Sequence, residues 1–313
     1  MVPALADREV ASMTTMVMAG GTSGLGAVAA RRLASEPGCR LLIGARSRLD
    51  RSGPPGAELV PVDLAELASV RAFAAEVVAR AEAPIDALVL NAGLSFPPHG
   101  SSTIDGFEPT VAVNHLAPYL LLRLLLPHLA DGGRVVLTTS GTHDPARNTR
   151  LPAPRHAEVG LLAHPAQDPG VPSSPRAAAG EAYAASKLCA VLTARAAATR
   201  PDVTDRGVVV VAYDPGPTPG TGLARHRGPL LRAAWAVLGS PVGRLVPGLS
   251  SRERAGGALA DLAAGRVVVP PGQVHVRLMK GHLEWTEPSE LARDPDVARA
   301  LWDDSAALVG LDR

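Results

Sequence analysis

The chain has 313 residues, of which 46% are hydrophobic, 3% aromatic and 19% charged, with a formal net charge of +1. That length and apolar content suit one α/β domain of roughly 250 residues with insertions, and exclude disorder over most of the chain. The charge balance excludes a global field for nucleic acid or anionic lipid. Cys39 and Cys189, outside any CxxC or Cys/His cluster, exclude a disulfide framework.

Along the chain, Val2 to Ala6 form an apolar start that Asp7, Arg8 and Glu9 cut short, too brief for an export signal. Residues 1–14 read as a loose leader, with Met13 and Met16 as alternative starts. No run reaches the ~18 apolar residues of a membrane span. The richest stretch, 120–129, is interrupted by Arg123, Pro127 and His128. A cytoplasmic protein without membrane or nucleic-acid partners is expected. Strands are predicted at 16–20, 40–45, 58–62, 86–91, 134–139 and 208–213, with a weaker one at 267–269. Helical patterns fill 25–36, 64–80, 107–129, 182–198 and 252–263. Strands apolar on both faces belong inside a parallel sheet covered by helices, and right-handed crossovers then give a doubly wound α/β fold. No internal repeat interrupts this single-domain reading of 1–313.

Two segments break the alternation. Residues 141–179 hold seven prolines (145, 152, 154, 165, 169, 172 and 175) and read as an insertion, because the strand before and the helix after belong to one sheet. Residues 214–229 open a second irregular region, 214–245, straight after a strand. Loops at the carboxyl ends of strands form the ligand crevice of such sheets, so both segments fall where substrate binds. Residues 280–313 form a C-terminal tail.

The first strand runs into Ala19-Gly20-Gly21-Thr22-Ser23-Gly24-Leu25-Gly26 and then a helix. Glycines let the backbone approach a pyrophosphate, and a helix N-terminus offers unpaired N–H groups and partial positive charge. Further pieces follow in order: Asp63-Leu64 after the third strand, Asn91-Ala92-Gly93 ending the fourth, Asn114 in a long helix, Ser140 ending the fifth, Tyr183-Ala184-Ala185-Ser186-Lys187 on the next helix, and Pro215-Gly216 after the sixth. Spacing and order together resemble the short-chain dehydrogenase/reductase family over roughly residues 15–270. The Val113-Asn114-His115-Leu116 run, the insertion and the tail from Leu301 to Leu311 are similar to its protochlorophyllide-reductase/retinol-dehydrogenase branch.

The resemblance implies a Rossmann-type domain that binds a nicotinamide cofactor through Gly20, Thr22, Ser23, Gly24, Leu25, Gly26, Asp63, Leu64, Asn91, Ala92, Gly93, Lys187, Pro215, Gly216 and Thr218. It implies Asn114, Ser140, Tyr183 and Lys187 as catalytic residues. The residues support those roles independently. Tyr183 and Lys187 stand four apart, so their side chains share a helix face. A nearby ammonium and an oxidised nicotinamide would favour the phenolate over the free phenol of pKa about 10, making a tunable proton donor and acceptor. Ser140 would hydrogen-bond and polarise the substrate oxygen, with Thr139 the neighbour that a one-residue misalignment would substitute. Pro118 follows Asn114 by four and has no N–H to give its carbonyl, leaving a kink whose free carbonyl the family uses to hold a water.

Arg46 follows the second strand, where an acidic residue would bind the ribose diol of NAD. Arginine pairs instead with a 2′-phosphate, so NADP(H) is expected over NAD(H). Two positions depart from the family pattern. Ala19 replaces a usual Thr, and Gly220 stands where Thr is frequent, leaving Thr218 or Thr221 to meet the carboxamide. A Ser140/His143/Asp144 hydrolytic triad lacks both the spacing and a G-x-S-x-G elbow. The histidines form no HxxxH or HExxH pattern, so no metal is expected.

The expected activity is NADP(H)-dependent reduction of a carbonyl, or oxidation of the alcohol, on a fairly apolar small molecule. C=C reduction, a non-redox cyclase, dehydratase or isomerase, and a regulatory NADP-binding protein stand as alternatives. Residues 141–179 are expected to act as substrate lid and as cover of the helices bearing Asn114 and Tyr183, which form the dimer interface in much of the family. The lean is to a monomer, with a homodimer as the alternative.

Overall fold

The computed structural model describes residues 13–46, 53–95, 102–149, 151–219 and 249–312. Eight strands form one sheet: β1 (Thr14–Ala19), β2 (Cys39–Ala45), β3 (Ala57–Pro61), β4 (Ile85–Leu90), β5 (Leu129–Thr138), β6 (Val209–Asp214), β7 (His275–Met279) and β8 (His282–Trp285). Their order is β3-β2-β1-β4-β5-β6-β7-β8, parallel except for the antiparallel edge strand β8. The order reverses at β1, and its crevice with β4 is the switch point where α/β sheets bind ligands.

Side chains alternate across the strands to feed two cores. Val17, Ala19 and Leu42 point to one face, while Met16, Met18, Leu41 and Ile43 point to the other. On the second face lie α1 (Gly24–Ala34) and, packed against it, the helix Arg252–Ala263. On the first lie α2 (Leu67–Arg80), α3 (109–125), α4 (Pro175–Ala198) and the C-terminal helix Pro295–Leu308, here α6, the Arg252–Ala263 helix being α5. This is the doubly wound α/β class read from the sequence.

α3 changes pitch along its length. Pro109–Val111 is α-helical, Ala112–Leu116 makes a π-helical turn around Asn114, and Ala117–Leu125 resumes the α-helix. Pro118 cannot donate to Asn114, and the N–H of Ala117 reaches back to the Ala112 carbonyl, five residues away. The expected kink is therefore an inserted π turn. Residues 109–128 are long and apolar enough, by length and composition, to cross a bilayer, yet 83% of the most apolar 18-residue window is buried inside the protein.

Three further expectations change. No strand forms at 267–269; Val268 is 86% exposed, and Pro270 and Pro271 follow it. The seventh strand lies instead at His275–Met279 and turns into β8, so residues 280–313 are not a simple tail but a strand and helices packed on the domain. The helix expected at 182–198 begins at Pro175, a proline suited to the first helical position, so the insertion loses its last five residues to α4. The described residues of 141–174 otherwise form short turns and one five-residue helix, Val159–Ala163.

Candidate active site

At the carboxyl ends of β1, β2, β4, β5 and β6 opens a cleft of about 390 Å³. Gly20, Thr22, Ser23, Gly24, Leu25 and Gly26 line one end, and Arg46, Asp63 and Leu64 line its flank. Asn91, Ala92 and Gly93 form the floor, with Ser140, Tyr183, Lys187, Pro215, Gly216 and Thr218 at the far end. Among the sequence-derived residues, only Asn114 lies off the wall. The remaining candidate, Thr221, and Gly220 beside it lie outside the described residues.

The glycine turn is built by close backbone approach. Gly20 adopts φ +87°, and a Cβ there would lie 2.4 Å from the Ala92 nitrogen. A Cβ on Gly26 would lie 2.0 Å from the Gly20 carbonyl oxygen and 2.4 Å from Asn91 Nδ2. Asn91 locks the turn by donating from Nδ2 to the Gly20 carbonyl at 2.8 Å, while its Oδ1 accepts from Thr138 at 3.0 Å. Ser23 caps α1 without a side-chain bond, and no acid sits in its first turn. The first N–H groups of α1 thus face the cleft free of a competing carboxylate. The cradle fits the pyrophosphate of a dinucleotide. Asp63 turns its Oδ1 onto its own loop, accepting from Ala65 N at 2.9 Å, and Arg46 is exposed at the rim.

At the other end, Tyr183 and Lys187 are 7% and 3% exposed, and Lys187 Nζ lies 5.8 Å from the centre of the Tyr183 ring. Lys187 donates to the Thr138 carbonyl at 3.0 Å, and a Cβ at Gly93 would come within 3.1 Å of its Nζ. Burial pulls the Lys187 ammonium down to about 8, an effect that the Asp214 carboxylate opposes. Burial pushes the Tyr183 phenol well up; the Ser140 hydroxyl bonded to it works the other way, and Asp214 adds to the rise. In the free protein desolvation is the largest influence on the Tyr183 phenol. Ser140, and not Thr139, meets Tyr183: Thr139 spends its hydroxyl on the Lys187 carbonyl at 2.7 Å.

Asn114 works one layer back. Its amide nitrogen donates to the Leu94 carbonyl at 2.8 Å and its Oδ1 accepts from Leu94 N at 2.8 Å, pinning the loop that leaves Gly93. The same nitrogen reaches Ser186 Oγ at 3.0 Å, and Ser186 donates to the Tyr183 carbonyl at 2.7 Å. One amide thereby ties α3, the floor loop and α4 together. His143 faces away from any triad: its Nδ1 bonds the Ser140 carbonyl at 2.7 Å and its Nε2 accepts from Ser289 N at 3.4 Å. Among the described residues no group of three or more His, Cys, Asp or Glu is placed to hold a metal.

Sequence reasoning passed over Thr138 and Leu94, both on the cleft wall, and Asp214 behind it. Asp214 carried a signal, since an acid ends an otherwise apolar strand just before Pro215-Gly216. Thr138 did not, being an ordinary residue of a strand.

A doubly wound sheet with a glycine cradle at its switch point, and a buried Tyr-Lys pair across the cleft, defines a dinucleotide-dependent oxidoreductase. The family model for short chain dehydrogenase matches residues 14–149. Protochlorophyllide reductase B, chloroplastic, of Oryza sativa subsp. japonica is 34% identical over 320 residues, covering 95% of this chain and 77% of its own. Dehydrogenase/reductase SDR family member 13 of Bos taurus is 35% identical over 314 residues, covering 95% and 73%. A crystal structure of a protein from Mycobacterium paratuberculosis superimposes with a TM-score of 0.64 at 26% identity, over 96% of this chain and 95% of that one. The chain belongs to the short-chain dehydrogenase/reductase family, on the protochlorophyllide-reductase and retinol-dehydrogenase-like side of it. It is an oxidoreductase that uses a nicotinamide cofactor on a small-molecule substrate.

Proposed function

We propose that the protein reduces the carbonyl of a fairly apolar small molecule with NADPH, or oxidises the corresponding alcohol. The observation that carries this reading is the meeting of Ser140, Tyr183 and Lys187 in one buried corner of the glycine-cradled cleft. The Gly20–Gly26 turn would hold the pyrophosphate of a cofactor whose reduced nicotinamide would supply the hydride. Ser140 hydrogen-bonds the substrate oxygen and holds it against Tyr183. Tyr183, kept as a phenol by burial, gives that oxygen its proton. Lys187, one turn away and buried, would hold the ribose and restores the charge balance when the phenol ionises. Asn114 keeps the Leu94 loop and the Tyr183 turn in register.

Arg46 supports NADP(H) over NAD(H): an exposed guanidinium at the cleft rim pairs with a 2′-phosphate, and no carboxylate stands in its place. Leu94 and Val113 give the cleft apolar wall beside the reacting corner. Two free cysteines, one of them buried, fit a reducing cytoplasmic setting. Incubating the protein with NADPH and a panel of apolar ketones and aldehydes, and following cofactor oxidation, tests the reading. Turnover with NADPH that Tyr183→Phe abolishes supports it. Conversion of a substrate without cofactor oxidation would replace it with a cyclase, dehydratase or isomerase on the same scaffold.

A further inference from the structure

Behind the reacting corner lies an ion pair that no step above uses. Asp214, the last residue of β6, is 1% exposed and stands in register with Arg277 on β7. Its Oδ2 lies 3.1 Å from Arg277 Nε, and its Oδ1 accepts from Gly216 N at 2.9 Å. Neither side chain is among the described residues that line the cleft. The residue after Ser140 is Gly141, and a Cβ there would lie 3.2 Å from Asp214 Oδ2 and 3.7 Å from Arg277 Nη2. Thr139 N bonds the Tyr213 carbonyl at 2.8 Å, so the β5 end that carries Ser140 is laced to the β6 end that carries Asp214. The carboxylate is thus fixed directly behind the turn that presents Ser140 to Tyr183.

We propose that the buried Asp214–Arg277 pair is a positioning device that keeps Lys187 an ammonium and Tyr183 a phenol, and so sets the pH window in which the site can release a proton. A negative charge one layer behind two acids disfavours loss of a proton from either. Asp214 acts in that sense on both Lys187 and Tyr183. Arg277 neutralises part of its field, so the two members of the pair act with opposite sign. The other groups facing the pair leave this balance in place. From the turn after β5 come His143 and the Asp144–Arg147 ion pair at 3.3 Å. On β7 is His275, whose ring lies 5.4 Å from that of His143; on β8 the exposed Glu284 stands opposite Arg277; within β6 is Tyr213. Burial holds both histidines below the ordinary value, and His143 is bonded as donor at Nδ1 and acceptor at Nε2, the pattern of a neutral ring.

The inference rests on the proton-donating roles given to Tyr183 and Lys187, but its test needs neither substrate nor cofactor. The chain contains only two lysines, Lys187 and Lys280. Labelling with 13C-lysine therefore gives two side-chain resonances, and Lys280→Arg assigns them. Titration of the free protein is expected to show Lys187 losing its proton near pH 8. Asp214→Asn should move the Lys187 midpoint down by about half a unit or more, and Arg277→Gln should move it up by a similar amount. Two substitutions that break the same ion pair would shift the midpoint the same way if they merely loosened the site. An unchanged midpoint in Asp214→Asn, or equal directions in the two variants, overturns the proposal, and either variant alone retains a signed expectation. The alkaline limb of the pH profile for reduction should follow the same two shifts. If the midpoints move as stated while no ketone is reduced, the redox reading falls and the positioning role stands.

Discussion

Tyr183 and Arg46 occupy opposite regimes, one buried beneath the cleft and the other exposed at its rim, and they make different demands on experiment. Tyr183→Phe keeps the ring in its packing and removes the only transferable proton of that side chain. Turnover is expected to fall by about two orders of magnitude or more, the usual worth of a positioned acid, with the unfolding midpoint little changed. Steady-state rates alongside denaturant unfolding check this, and substantial retained turnover points to another acid. Arg46→Asp puts a carboxylate against the 2′-phosphate. NADPH binding is expected to weaken by roughly 1.5–3 kcal/mol, the worth of a charged hydrogen bond, and NADH binding much less. Equal losses measured by calorimetry for the two cofactors would remove Arg46 from the site. Residue identities on the cleft were legible because each sits at an element end that the pattern marks: glycines after β1, Asn91 after β4, Ser140 after β5. The protonation state was not legible. It depends on burial and on Asp214, and a helix face shared by Tyr183 and Lys187 says nothing about either.

At the scale of the element, the β1–α1 turn is where sequence and packing agree most closely. A methyl group at position 26 would meet the Gly20 carbonyl and the Asn91 amide, two groups that are bonded to each other. Gly26→Ala is expected to cost about 1–3 kcal/mol through overpacking, and to weaken cofactor binding as the cradle opens. Unfolding curves and cofactor titration measure both; an unchanged dissociation constant would mean the turn does not hold the pyrophosphate. The Arg252–Ala263 helix was legible to the residue, because Ser251 accepts from Arg254 N at 3.2 Å as its N-cap. The β7–β8 hairpin was not. Residues 275–285 mix apolar residues with His275, Arg277, Lys280, His282 and Glu284, and only the edge of a sheet that Arg277 joins through Asp214 makes strands of them. The kink at Asn114 could be read from Pro118, but its form could not, since a missing N–H is answered equally by a break or by the π turn that forms here.

Across the whole molecule, two late segments lie over the helices that bear Asn114 and Tyr183. The insertion is riveted to α4 by Arg155, which pairs with Glu181 at 2.5 Å and with Asp168, itself approached by His156 at 3.2 Å. The Arg155 guanidinium holds the Asp168 carboxyl down to about 2. Its stabilising effect is therefore complete above the ordinary carboxylate range and is lost as pH falls toward 2. The Ala163 carbonyl accepts from Glu108 N at 2.9 Å, joining the insertion to the start of α3. α6 then seals the outer side. Trp302 accepts through its carbonyl from Tyr119 Oη at 2.8 Å and packs edge-on against that ring, while His115 Nε2 bonds Ser305 Oγ at 2.8 Å. We propose that the insertion and the C-terminal helix share the cover of these helices, with a monomer as the expected state. Replacing residues 151–173 with a short Gly/Ser bridge should raise KM, by removing a lid, and raise the mass in light scattering toward two chains. Unchanged KM and unchanged mass would leave the insertion with neither role.

The measurement that bears most directly on the function follows an isotope. With NADPH deuterated at the transferable C4 position and an apolar ketone from the panel, hydride transfer requires deuterium on the carbinol carbon of the product, one atom per cofactor oxidised. Asp63, Asn91 and Lys187 would hold the cofactor, and Tyr183 would supply an unlabelled solvent proton to the oxygen. Product that forms without deuterium while the cofactor stays reduced would contradict hydride transfer. Deuterium found on a former C=C carbon would contradict carbonyl reduction.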